Sequence, residues 1–201
     1  MLLRDPSHFQ WNIIPIFLLV LYVYADQIAA RRWSVLLAGM AFWLMDWINE
    51  IWNALLAHFS HSAPAWGTPG NSSLILLSGL NIEITLMFAV MGLLSVRILP
   101  ENPQLSFWNI NNRFWLASIN SLLCVMVELF LHHIGLLTWA WPWWNSSFPL
   151  LIWLIGYMPF FLVAYWVHDM HNTQRQLHVV LTLAGGVSAA LIVFGAWLHW
   201  L

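Results

Sequence analysis

The sequence predicts an all-α fold: a polytopic membrane bundle of about six transmembrane helices in a single domain spanning residues 1–201. Three observations predict it. Hydrophobic residues make up 61% of the chain and charged residues only 7%, whereas a soluble domain carries roughly a quarter charged residues. A surface so poor in charge needs lipid as part of its solvent. Six stretches also reach the roughly 20 apolar residues that a span requires, and the breaks between them carry turn chemistry.

The first span covers about 11–29 and ends before Arg31 and Arg32. Those arginines follow the apolar run rather than precede it, which fits a retained helix better than a signal peptide. The second covers 33–58 and stops in a stretch holding Pro64, Gly67, Pro69 and Gly70. Asn71-Ser72-Ser73 then supplies helix-capping chemistry for a third span, 73–97. Pro100 and Pro103 separate that span from a fourth, 114–138. Trp141-Pro142 breaks the chain again, and Asn145-Ser146-Ser147 precedes the fifth span, 148–168. A polar run from Asp169 to Gln176 leads to the sixth, 177–199. Pro159 and the pair Gly185–Gly186 are single breaks that helix packing absorbs.

Arginine sets the expected orientation. Arg31, Arg32, Arg97, Arg113 and Arg175 fall at one set of loops, with Arg4 alone on the other side. By the positive-inside rule those loops are cytoplasmic and both termini face the extracytoplasmic side. No basic stretch suits a nucleic acid. The single cysteine, Cys124, excludes a disulfide scaffold. Nucleotide-binding loops, dinucleotide fingerprints and nucleophile elbows are missing from the sequence, against phosphoryl transfer, nicotinamide chemistry and serine hydrolysis in their familiar forms.

Function is expected where ionisable side chains enter the apolar stretches, since Asp near a helix centre costs about 3 kcal/mol. Asp46 and Glu50 lie in the second span, Glu83 in the third, and Glu128 in the fourth, followed by His132 and His133. Counted from the outer ends, the three glutamates come out at one depth, roughly 12–15 Å. Asp46, Glu50 and Asn53 share a helix face at i, i+4 and i+7, and Glu128 and His132 share another. Each acid alone is as well explained by hydrogen bonding between helices; four at one level point to a site. Like charges so close cannot all be ionised, so the cluster shares protons or holds a cation. A second group, His168, Asp169, His171 and His178 with Asp26, sits at the opposite edge, where such residues complement helix C-termini.

Three readings follow. In the first, an integral membrane enzyme cyclises or isomerises an apolar lipid or isoprenoid through a cationic intermediate, with no cofactor favoured. Asp46, Glu50, Glu83 and Glu128 do acid/base work, while Trp43, Trp47, Asn53 and Tyr157 line the substrate site. In the second, Glu50, Glu83, Glu128 and His132 hold iron or another divalent metal, although the Glu-x-x-His spacing of dinuclear carboxylate bundles is missing; haem between histidines of different helices also stays open. The third is a proton- or ion-coupled transporter, disfavoured because the sequence carries no inverted-repeat signature. The expected partners are the bilayer and an apolar small molecule, with room for a homo-oligomer.

Overall fold

The computed structural model describes residues 3–201 and is mostly helical. Six long helices follow in order: α1 (Ile13–Ala29), α2 (Trp33–Ser60), α3 (Ile82–Arg97), α4 (Asn112–His133), α5 (Pro149–His168) and α6 (Thr173–Trp197). Among the described residues, α4, α5 and α6 are long and apolar enough to cross a membrane, and α1 is a shorter apolar helix. The bundle is apolar outside and partly polar inside. Leu18, Met87, Phe130, Leu181 and Ile192 stand exposed on its flanks, while Gln27, Asp46, Asn53, Glu128 and Gln176 are buried. An apolar exterior of that extent marks a surface made for lipid.

α2 is the axis, packing against α1, α3, α5 and α6. Its approach to α3 depends on two glycines. A Cβ on Gly39 would lie 2.6 Å from Leu93 Cδ2, and one on Gly92 would lie 2.7 Å from the Gly39 carbonyl oxygen. Small residues let helix backbones close in this way. Below the crossing, Phe42 packs on Phe161 at 4.8 Å and on Phe160 at 5.7 Å between ring centroids. At the end of α5, the Gln176 amide donates to the carbonyls of Val167 (2.9 Å) and Met170 (3.1 Å), satisfying groups a helix end leaves unpaired.

The third helix differs most from expectation. The stretch 73–97 does not form one helix. Ile75–Leu77 and Leu80–Asn81 pair as a short antiparallel hairpin, and α3 begins only at Ile82. Asn81 is the cap, its side-chain oxygen accepting from the Ile84 N–H at 2.8 Å, so Asn71-Ser72-Ser73 does not cap this helix. The cause is local: an Asn two residues after Gly79 offers an N-cap that outcompetes extension of the helix backward. Asn145-Ser146-Ser147 likewise makes its own turn, with the Asn145 side chain accepting from Ser147 N–H, and α5 starts at Pro149 without a side-chain cap. α4 ends at His133 rather than 138, where Gly135 takes a positive φ of 78°. Pro159 has no N–H for the turn before it, and α5 widens to π geometry over Ile152–Tyr157.

One end of the bundle is covered by connections that pair with each other. Trp66–Gly67, from the α2–α3 connection, is strand β1 and pairs antiparallel with Thr138–Trp139, here called β2, from the α4–α5 connection. In this register Trp66 faces Trp139. The N-terminal segment joins the same end, since Arg4 N–H donates to the Ile75 carbonyl at 2.7 Å and the Arg4 guanidinium to the Leu201 carbonyl at 3.3 Å.

Candidate functional site

The β1–β2 bridge holds two tryptophans above two carboxyl groups. Glu50 lies ten residues before the end of α2, and Glu128 five before the end of α4. The Trp66 indole N–H donates to Glu50 Oε1 at 2.8 Å. The Trp139 indole N–H donates to Glu128 Oε1 at 2.9 Å. Thus two cross-strand partners each bind one of the two acids, which themselves lie within electrostatic reach of one another.

Asn53 fixes this arrangement. Its side-chain oxygen accepts from the Ala65 N–H at 2.7 Å and the Trp66 N–H at 3.3 Å, and its amide donates to the Trp66 carbonyl at 2.8 Å. The side chain is fully buried, and its three bonds to backbone leave one amide N–H, on the side of Glu50. Asn53 was expected to bind substrate; in the structure it clamps β1 to α2, one turn from Glu50. Around it, Trp66, Trp52 and Trp144 form a triangular cluster, with Trp66 5.9 Å from Trp52 and 5.0 Å from Trp144 between ring centroids, which restricts the indole.

Each indole occupies one oxygen of its carboxyl. Glu50 Oε2 is buried without a hydrogen-bond partner, as is the Thr68 hydroxyl beside it on the same wall. Gly79 makes the space: a Cβ there would sit 2.6 Å from Glu50 Oε2 and 2.5 Å from Trp66 Nε1. An indole can only donate, so a proton on either acid belongs on the oxygen the indole does not touch. Tyr157, at the end of the π segment of α5, faces the Glu128 carboxyl.

These groups stand at one end of a cavity of about 680 Å³. Its long wall is α3, from Ile84 through Met91 to Ile98, with Leu123 and Val127 of α4 opposite and Ile16 of α1 alongside. From Ile84 to Ile98 that wall runs roughly 21 Å at the helical rise. Beyond the acid end the lining is almost wholly apolar, Ser95 and Asn120 at the far end being the polar additions, and among the described residues no Arg, Lys or His lines it. α3 packs on α2 and α1, and α4 on α5, so the cavity occupies the seam between α3 and α4.

The expected residues therefore separate. Glu50, Glu128 and Tyr157 meet on the cavity wall. Asp46 is buried one turn from Glu50 with Oδ2 unpartnered, behind the cavity rather than on its wall. Trp43 and Trp47 also lie off the wall; Trp43 donates to the Thr85 hydroxyl at 2.9 Å, and the Trp47 indole N–H is buried without a partner. Glu83 is elsewhere. Because α3 begins late, it is the second residue of that helix, accepting from the Ser73 N–H at 2.9 Å and from the Ser72 hydroxyl. The common depth expected for three glutamates thus reduces to a pair. His132 stacks on Trp139 at 4.1 Å with Nδ1 3.0 Å from the Leu137 carbonyl oxygen. Among the described residues no three His, Cys, Asp or Glu side chains gather closely enough to hold a metal ion, so the set Glu50, Glu83, Glu128 and His132 is not assembled. Trp66, Thr68, Gly79 and Trp139 were not singled out from the sequence, where Trp66, Thr68 and Trp139 read as ordinary loop residues and Gly79 as part of the third span.

The second group is built differently. Arg113 of α4 grips Asp169 with two bonds, Nε to Oδ2 at 2.8 Å and Nη2 to Oδ1 at 2.9 Å, and donates from Nη1 to the Pro100 carbonyl at 2.9 Å. His168 Nδ1 lies 3.2 Å from the same carboxylate. Partial burial pushes the Asp169 carboxyl up, but the hydrogen bonds from Arg113 and His168 outweigh it and hold the group below the usual aspartate value.

A family model described as an uncharacterized membrane protein family matches residues 1–196. An uncharacterized protein of Archaeoglobus fulgidus is 46% identical over 200 residues, covering 100% of this chain and 95% of its own length. A second uncharacterized protein from that organism is 43% identical over 53 residues, 26% of this chain and 95% of the shorter one. No solved structure matches.

Proposed function

The chain belongs to this uncharacterized family of membrane proteins, and on that premise we propose that it is a six-span membrane enzyme that isomerises or cyclises an apolar lipid or isoprenoid by acid/base chemistry. One observation carries the reading: an apolar cavity along α3 ends at two carboxyl groups, Glu50 and Glu128, each held on one oxygen by an indole N–H. The arginine bias puts that end in the extracytoplasmic half of the membrane and the Arg113–Asp169 end at the cytoplasmic face.

Chemistry follows from the free oxygen of Glu50 and from Glu128 beside Tyr157. One carboxylic acid gives its proton to an alkene carbon or an epoxide oxygen, and the π pair or the C–O bond pair takes it up. The cation that forms is held against the faces of Trp66 and Tyr157. The other carboxylate removes a proton from a neighbouring carbon, whose bonding pair closes the new double bond. Substrate and product are isomers, so no oxidant or co-reactant is needed. Asp46, one turn behind Glu50, acts as a positioning residue, and the proton passes back between the two glutamates to reset the pair.

Solvent isotope incorporation tests this. Protein in nanodiscs is incubated in D2O with a panel of uncharged polyenes, epoxides and neutral lipids, and each is recovered for mass analysis. An isomer carrying deuterium at carbon or oxygen, formed 10²- to 10⁴-fold more slowly by Glu128→Gln or Glu50→Gln, is expected. An isomer formed at full rate by both variants overturns the assignment of the acids.

A further inference from the structure

The charge of the cavity wall names a ligand class. We propose that this cavity binds single-chain amphiphiles with a positively charged head, the head against Glu50 and Glu128 and the chain along α3, and that it rejects anionic ones. The inference rests on the same carboxyl pair as the acid/base reading and goes beyond it: a cationic head is a stable counterpart of the cation that the reaction forms there.

The polar end offers two carboxyl groups and no cation, and among the described residues the wall as a whole has no Arg, Lys or His. Two polar atoms buried more than nine-tenths, Glu50 Oε2 and the Thr68 hydroxyl, face that space without any hydrogen-bond partner. Unpaired buried oxygens are costly unless a ligand satisfies them. Trp66 and Tyr157 line the same end of the cavity, and an ammonium beside aromatic rings is attracted more strongly in a dry site than in water. A sulfate or phosphate head would instead bring further negative charge to acids with no counter-ion. The remaining wall, roughly 21 Å of α3, matches an extended chain rather than a compact ring system. The seam between α3 and α4 opens where Met87, Leu94, Leu123 and Val127 are exposed on the flank, so the chain arrives from the bilayer.

The test is equilibrium binding by the full chain in phosphatidylcholine nanodiscs, read by native mass spectrometry at equal mole fractions of three probes. These are hexadecylammonium, hexadecanol and hexadecyl sulfate. The ammonium probe is expected to bind roughly tenfold more tightly than the alcohol, with the sulfate undetected. Glu50→Gln/Glu128→Gln should bring the ammonium and alcohol probes to equal affinity, and Leu123→Trp, which fills the chain wall but spares the acids, should weaken all binding alike. Equal binding of the three probes by the wild-type protein, or preference for the sulfate, overturns the proposal, and that comparison needs no variant. Charge selection without deuterium transfer would leave this inference standing and sink the acid/base reading; deuterium transfer without charge selection would do the reverse.

Discussion

Two carboxylate groupings sit at opposite ends of this bundle, and they are satisfied by opposite means. Asp169 meets a guanidinium in a two-point grip, with His168 beside it. Glu50 and Glu128 meet neutral donors, an indole on one oxygen of each, with Tyr157 also facing Glu128. A charge-assisted pair is complete in itself and ties α4 to the end of α5. An acid held on one oxygen by a neutral donor keeps its other oxygen for something else. The difference separates an acid that holds the fold from acids available for chemistry, and it depends on the partner rather than on burial.

Breaking either end sharpens that contrast. The largest effect is expected from Asn53→Leu, which strands the Ala65 and Trp66 N–H groups and the Trp66 carbonyl. At roughly 1–3 kcal/mol per unsatisfied buried group, it should lower stability by about 3 kcal/mol in thermal unfolding in detergent and also end ligand binding by freeing Trp66. Arg113→Ala comes next. It leaves a half-buried carboxylate facing His168 alone and the Pro100 carbonyl unpaired, so a loss of about 2 kcal/mol is expected, discounted for solvent access. Glu128→Gln should by contrast change the unfolding midpoint little, because the amide oxygen still accepts from Trp139. Equal destabilisation by Arg113→Ala and Glu128→Gln would erase the distinction between the two ends.

Smaller effects concern single bonds. Trp139→Phe keeps the ring stack with His132 and loses one indole donor, at about 1 kcal/mol; binding should weaken more than stability. Acid titration gives the last contrast. Asp169 is held below its ordinary value of 3.8, so its stabilising contribution is complete above that value and fades as pH falls through the lower folded one. Unfolding temperature should therefore drop on the acid side in the wild type, and the drop should be smaller in Asp169→Asn.

Much of this was legible in the sequence. The charge deficit and the apolar lengths gave a helical membrane chain, since backbone groups in lipid must be satisfied within the segment. Five of the six helices begin and end within a few residues of the expected spans; α3 alone begins nine residues late, where a good cap at Asn81 stopped what hydropathy would have continued. Of the acids singled out, Glu50 and Glu128 meet at the cavity, because mid-helix charges in an apolar run have few other uses. Glu83 was misplaced with its helix: depth counted along a sequence is only as good as the helix start it is counted from.

By itself, the sequence determined the solvent this chain needs, its helical character and the identity of the costly residues inside its apolar segments. Those follow from composition and periodicity, which are local. Only the tertiary structure decided that Trp66 and Trp139 pair across two connections, that Gly79 leaves room over Glu50, and that Asn53 serves the backbone rather than a ligand. Each of these depends on a contact between connections, or between a connection and a helix. No periodicity records such a contact, because it is set by where the helices place their ends.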